Sequence, residues 1–270
     1  MILSLILDEE SGDLVEFSIF IIGLIFGSFL NMLIYRLPIG LSLTNPKRSI
    51  CTSCRNQIKW YENIPLFSYI FLKGKCSHCK EKISLLYPII ELITALVTLV
   101  IFNILGLTLD FIIVLLLFYT LITLSFIDFK YKAVPDYLLM IALVISFFTI
   151  DFSFQTAFIF AGAFILLELF ITFYIQNIKS RLLKDDSLKE QRAMGEGDIP
   201  IIAIIGGLLG IKLGLIAIFL SAILAILPSI LNSIIKKEIE TPFIPFLSLA
   251  LFIVFIFNIE ISMIVGEYIR

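Results

Sequence analysis

The sequence predicts an all-α polytopic membrane protein of about eight transmembrane helices, with a four-cysteine loop between the first and second. Three observations carry that expectation. Sixty per cent of the 270 residues are hydrophobic and the mean hydropathy is +1.07, whereas a soluble domain averages roughly 45 to 50 % apolar residues. Apolar windows close to the ~20 residues needed to cross a ~30 Å hydrocarbon core recur along the chain. The basic residues segregate to alternate connections between those windows.

The windows lie at 17–35, 86–104, 109–127, 136–150, 153–175, 199–216, 217–235 and 243–259. The fourth is short, bounded by Pro135 and Asp151, and the sixth is interrupted by Gly206, Gly207, Gly210 and Lys212. Both read as tilted, shallow or re-entrant segments. No internal repeat is expected. The opening residues MILSLILDEE lack a basic n-region and a small-residue cleavage site, so the first span is expected to act as its own insertion signal. With eight windows, 18 of the 20 Lys and Arg residues fall on one side, in segments 36–85, 128–135, 176–198 and 236–240. The positive-inside rule makes that side cytoplasmic and puts both termini outside.

The segment between the first two windows holds all four cysteines, in CTSC and CSHC: Cys51, Cys54, Cys76 and Cys79. Two C-x-x-C knuckles at this separation suit a tetrahedral Cys₄ zinc ribbon, and a reducing compartment disfavours disulfides. Four thiolates leave no open position for a catalytic water, so the expected zinc is structural. It would supply much of the folding free energy of a loop with little core. His78, the only histidine, lies inside the second knuckle and is expected to be solvated.

Two acids stand out at window boundaries on the basic side. Asp128 ends the third window in LSFIDFKYKAVPDY, and Asp198 opens the sixth in GEGDIPIIAIIGG. A carboxylate at a helix C-terminus meets the negative end of the macrodipole, so Asp128 needs a justification other than helix stability. Asp136 follows Pro135 at the start of the fourth window, where an acid favours a helix N-terminus, and is expected to be a helix-start residue. Asp198 could be excused in the same way, but Gly195 and Gly197 mark a backbone that bends or is closely approached. Two carboxylates from different helices, held close, share one proton; one can then activate a water while its protonated partner donates to a carbonyl oxygen. The polar residues at or inside the first two windows are Asn31, Arg36 and Glu91, and Glu168 is the other acid within an apolar stretch. Read from the residues alone, Asn31 hydrogen-bonds within a bundle and Arg36 anchors the first span, while Glu91, an ionisable group inside a span, either hydrogen-bonds there or serves function.

GEGD at 195–198, IDFKYKAVPD around Asp128, the double C-x-x-C loop, GSFLNMLIYRLP at 27–38, ISLLYPIIELIT at 83–94 and TPFIPFLSLA at 241–250 together resemble the prepilin peptidases, the type 4 leader peptidases with a GxGD motif. The resemblance runs over nearly the whole chain. It implies a bifunctional inner-membrane aspartic endopeptidase that removes the basic leader of type IV prepilins or type II secretion pseudopilins at the cytoplasmic face. It also implies N-methylation of the new terminus with S-adenosylmethionine. On this resemblance the catalytic aspartates fall on Asp128 and Asp198, supported by Gly195 and Gly197. The metal ligands fall on Cys51, Cys54, Cys76 and Cys79, and Asn31, Arg36 and Glu91 become candidates for the methyltransferase. Residues 1–104 would be the methyltransferase part and 105–270 the peptidase part. One departure is Pro200, standing where the family usually has lysine. Expected partners are prepilin or pseudopilin substrates and the lipid bilayer, with no nucleic acid. The alternatives are a leader peptidase without methylation, and an ion-coupled transporter using the two aspartates as cation sites.

Overall fold

The structure is a computed structural model and describes residues 2–44, 49–149, 151–183, 195, 197–235 and 241–258. Nine α-helices are found among these residues: α1 (Ile2–Arg36), α2 (Phe67–Phe71), α3 (Leu86–Leu105), α4 (Leu109–Tyr131), α5 (Asp136–Ser146), α6 (Phe154–Phe173), α7 (Ser180–Leu183), α8 (Asp198–Ile235) and α9 (Ile244–Ile256). A 3₁₀ turn covers Trp60–Asn63, and a π-helical stretch, Tyr174–Lys179, joins α6 to α7. The described residues contain no strand beyond two isolated bridges. Five helical stretches are long and apolar enough to cross a membrane, and α5 and α9 are shorter apolar helices. Among the described residues, each of the eight expected windows falls mainly on helix, the fourth being helical only to Ser146.

The boundary between the sixth and seventh windows needs correction. Both lie on α8, and the helix breaks at Gly210, with φ 70° and ψ −169°, rather than after residue 216. That backbone region is essentially reserved for glycine. The helical piece from 198 to 209 rises only about 18 Å at ~1.5 Å per residue, short of a full crossing.

The chain forms two compact units, Met1–Ile127 and Asp128–Arg270. This packing division falls inside α4, whereas the functional division read from the sequence, at 104/105, falls in the last turn of α3.

In the first unit α1 packs along α3, and two glycines explain how closely. A Cβ on Gly23 would stand 2.6 Å from the Ala95 Cα, and one on Gly27 would stand 2.6 Å from the Glu91 Cα. These two residues form a G-x-x-x-G pair, whose small surface lets two backbones meet in an apolar medium where no hydrophobic drive brings helices together. The seam continues in a buried Thr98–Tyr119 hydroxyl pair at 2.7 Å and in Phe26 against Tyr119, 5.3 Å between centroids.

In the second unit α6 and α9 both pack on α8. The first turns of α8 are its deepest part: Ile201, Ile202, Ile204 and Ile205 are fully buried. Further on, glycines admit aromatic rings. A Cβ on Gly207 would lie 2.2 Å from the Phe152 ring, and one on Gly206 would lie 2.6 Å from Phe160. The buried start of α8 is what carries Asp198.

Candidate active site and metal centre

Asp128 belongs to the last turn of α4 and Asp198 is the first residue of α8; they are 8 % and 7 % exposed. The backbone N–H of Ile244, first residue of α9, donates to Asp128 Oδ2 at 3.2 Å. The placement that looked unfavourable in the sequence is thereby explained. Asp128 ends its own helix at the wrong pole, but it serves as a cap for another, at the positive N-terminus of α9. Asp198 occupies the same pole of α8, and its carboxylate accepts from the Gly195 N–H. The Asp198 N–H in turn donates to the Gly195 carbonyl at 3.1 Å.

The two carboxylates lie within electrostatic range. The Asp128 charge acts on Asp198, and Glu168 of α6 is a further acid within electrostatic range of it. Gly197 is where the surrounding elements converge: a Cβ there would lie 3.0 Å from Val134 Cγ2 and 3.4 Å from both Ile244 Cδ1 and Leu139 Cδ1. Ile244 therefore touches the loop that carries Asp198 and also binds Asp128. Gly195 is less constrained, since a Cβ there would meet only the Asp198 carboxylate, at an ordinary 3.5 Å. Pro200 lies in the first turn of α8, where its missing N–H would have had no helical partner. Asp136 opens α5 and is exposed. One turn along α9 from Ile244, the buried Ser248 hydroxyl has no hydrogen-bond partner among the described residues.

In the first unit the four cysteines converge, their sulfurs all within 4.8 Å of one another. The Cys51 and Cys79 sulfurs are 3.9 Å apart, against about 3.8 Å between corners of a tetrahedron with ~2.3 Å Zn–S bonds; a disulfide would need ~2.05 Å. The thiolate donor set and this spacing fit a four-coordinate metal. Hydrogen bonding from the Cys54 backbone N–H pulls the Cys51 thiol down to about 7 against opposing burial, whereas, against a Glu81 backbone hydrogen bond, burial and the neighbouring sulfurs push the Cys79 thiol up to about 11. His78 is exposed and outside the cluster.

The knuckles are two copies of one turn, which corrects the expectation of no internal repeat. CTSCRNQI and CSHCKEKI align residue for residue. Each has a bridge across its base, Ile50 with Gln57 and Lys75 with Lys82. In each the first cysteine's N–H donates to the residue five positions on, at 2.9 Å. Arg55 and Lys80, at matching places, both take positive φ, 56° and 60°.

Asn31, Arg36 and Glu91 are all buried in the first unit, and each makes an internal hydrogen bond. Asn31 Nδ2 donates to the Tyr87 carbonyl at 3.0 Å, and Arg36 Nη1 donates to the carbonyls of Ser42 and Leu43 at 2.9 and 3.0 Å. Glu91 Oε2 accepts from the Leu66 N–H at 2.8 Å, and the Ser28 hydroxyl is a second partner of that carboxylate.

Comparison with known proteins gives the family. The family model described as "Bacterial Peptidase A24 N-terminal domain" matches residues 21–105, and "Type IV leader peptidase family" matches 115–230. The prepilin leader peptidase/N-methyltransferase of Vibrio cholerae is 36 % identical over 216 residues, covering 76 % of this chain and 81 % of the relative. The chain belongs to the type IV leader peptidase family. A second relative, bearing the same name in Pseudomonas aeruginosa, is 31 % identical over 272 residues and covers 90 % of both chains. In Neisseria gonorrhoeae a third is 30 % identical, covering 88 % of this chain and 89 % of its own. No solved structure matches. As a type IV leader peptidase family member the chain has a polytopic helical fold with a cysteine cluster close enough to bind a metal.

Proposed function

We propose that this protein removes the leader of type IV prepilins or type II secretion pseudopilins with Asp128 and Asp198, and methylates the new N-terminus with S-adenosylmethionine. The observation that supports the reading is two buried carboxylates within electrostatic range, one opening α8 and one capping the N-terminus of α9. Like charges so placed hold one proton between them. The ionised partner draws a proton from a water, which attacks the scissile carbonyl while the protonated partner donates to the carbonyl oxygen; the proton taken from the water then passes to the leaving amine as the diol collapses and returns a hydroxyl proton to the other carboxylate. The Ile244 N–H fixes one carboxylate and the Gly195 N–H the other, so neither must reorganise as charge moves.

Cys51, Cys54, Cys76 and Cys79 would hold zinc, whose chemistry is to cross-link the two knuckles. The charge distribution supports placing the zinc loop and the dyad on the cytoplasmic side of the bacterial inner membrane. There a basic leader is reached from water while the apolar helix behind it stays in lipid. The test is co-expression with a prepilin-like substrate, following leader loss and the mass of the mature N-terminus. The wild type should yield a product one CH₂ heavier than bare cleavage gives, and Asp128→Asn or Asp198→Asn should leave the precursor whole. A precursor processed as before in either variant refutes the dyad.

A further inference from the structure

One stretch of the cysteine loop has the make-up of a membrane segment. KWYENIPLFSYIFLKGK, residues 59–75, is apolar and aromatic between its bracketing lysines, with Glu62 the only charge from 60 to 72. It holds the 3₁₀ turn and α2, and it turns an apolar face outward. Trp60 is 73 % exposed and Phe71 82 %, and Ile64, Phe67 and Ile70 are exposed between them. Tyr61, Ile64, Phe67 and Phe71 line one recess of about 420 Å³, so they form a single surface. The run is too short to cross a bilayer, but about 10 to 14 apolar residues suit an interfacial or re-entrant segment. We propose that residues 60–72 lie in the bilayer as a wedge, with Phe67, Ile70 and Phe71 against lipid acyl chains and Trp60 and Tyr61 at the headgroup level.

Hydrogen bonding sets the depth of this segment. Glu91 Oε2 accepts from the Leu66 N–H, and Gly27 backs onto the Glu91 Cα. Glu91 lies five residues into α3, and Gly27 lies nine before the end of α1. At ~1.5 Å per residue, Leu66 is therefore roughly 8 to 13 Å in from the helix ends. Both helices are long and apolar enough to be spans, so that depth belongs to the leaflet on the side of the loop and not to water. The wedge is also continuous with the outer surface of a span. Ile64, Pro65 and Phe67 share a cavity of about 500 Å³ with Leu24, Ile25 and Phe29 of α1, and Ile25 and Phe29 are themselves exposed.

The backbone meets the condition that lipid imposes, which is that polar groups at membrane depth be satisfied by protein. Leu66 is strained, with φ 59° and ψ −50°, and its N–H is the one that Glu91 holds. The N–H groups of Ser68, Ile70 and Leu72 donate to the carbonyls of Ile64, Leu66 and Ser68 at 2.9 to 3.1 Å. Ser68 is buried, and its hydroxyl lies 2.7 Å from the Ile64 carbonyl. Polar groups point inward and rings outward, the reverse of what water favours. Lys73 and Lys75, both exposed, stand where the chain leaves the apolar run and suit an anionic headgroup layer. A protein partner would cover the same rings but would not account for the depth of Leu66.

Trp60 is the only tryptophan of the chain, so its fluorescence is the probe. The full chain is placed in nanodiscs of phosphatidylcholine and phosphatidylglycerol, with or without lipid brominated on the upper acyl chain, and iodide is the aqueous quencher. Trp60→Phe/Phe71→Trp moves the indole along the wedge, and Trp60→Phe/Asn56→Trp moves it to the exposed first knuckle, with thermal unfolding as the check on folding. Brominated lipid should quench the wild type and the Phe71→Trp variant at least about twofold, and iodide should quench both at least about threefold less than it quenches the Asn56→Trp variant. Wild-type emission as open to iodide as that of Asn56→Trp, and unchanged by brominated lipid, overturns the wedge. Emission shielded from both quenchers overturns it too, because a protein partner or a second copy would then cover this face. The wild type carries the probe, so a variant that fails to fold leaves the test intact.

Discussion

Gly197 offers the sharpest perturbation of the aspartate site, because its neighbours are known and one of them can be trimmed. An alanine Cβ at 197 would lie 3.0 Å from Val134 Cγ2, a few tenths of an ångström inside ordinary contact, and 3.4 Å from Ile244 Cδ1 and Leu139 Cδ1. Its backbone φ is not in the left-handed region, so crowding is the whole cost. Mild overpacking of this kind costs about 1 kcal/mol, the low end of the ~1–3 kcal/mol range. Relief by moving Ile244 would drag the N–H that holds Asp128 Oδ2. Expressed in the barrier, about 1 kcal/mol slows leader cleavage roughly fivefold. Gly197→Val adds branches and should cost more than tenfold. Val134→Ala removes the closest atom, so Gly197→Ala/Val134→Ala should recover most of the rate lost by Gly197→Ala. The assay is initial-rate cleavage of a prepilin-like substrate by purified protein, in a double-mutant cycle. Additive losses, with no rescue, would show that crowding against Val134 is not how Gly197 acts.

Other consequences are more local. Cys54→Ser should lower bound zinc from about one ion per chain toward none, read by metal analysis, because structural sites need their full ligand set. Undiminished zinc would contradict the ligand assignment. Gly23→Ala puts a methyl 2.6 Å from the Ala95 backbone and should lower Tm by several degrees. Gly12→Ala, with nothing within 4 Å, should hold or raise it. Equal behaviour of the two would argue against the α1–α3 seam. Gly210→Ala forces a side chain into a conformation with φ 70° and should cost about 1–3 kcal/mol, again read in Tm; an unchanged Tm would refute the break.

Much of the fold was legible because lipid imposes long apolar helices, and length with hydropathy finds them wherever they lie. The break inside α8 was less so. Glycines flanked it on both sides, and a positive φ at Gly210 is a property of backbone path that composition does not carry. The α1–α3 seam had a readable signal in Gly23 and Gly27, a G-x-x-x-G pair that hydropathy windows pass over. The twin knuckles were readable too, in CTSCRNQI and CSHCKEKI, once the residues after each cysteine pair are aligned.

At the site, Asp128 and Asp198 were legible as acids where acids are costly. What the sequence could not supply was the remedy, because the Ile244 N–H that caps Asp128 lies 116 residues away. Glu91 and Arg36 show the same limit. Each was visible as a charge that needed a reason, but the reasons, the Leu66 turn and the carbonyls of Ser42 and Leu43, are made by the folded loop.

The central claim is that Asp128 and Asp198 act as one catalytic unit, and single-turnover leader cleavage by Asp128→Asn, Asp198→Asn and the double variant tests it most directly. Residues that work as a unit are strongly non-additive. Each single variant should lose at least about a thousandfold in rate, and the double variant should be no slower than the worse of the two. Cleavage that survives either single substitution, or losses that multiply in the double variant, would contradict the claim.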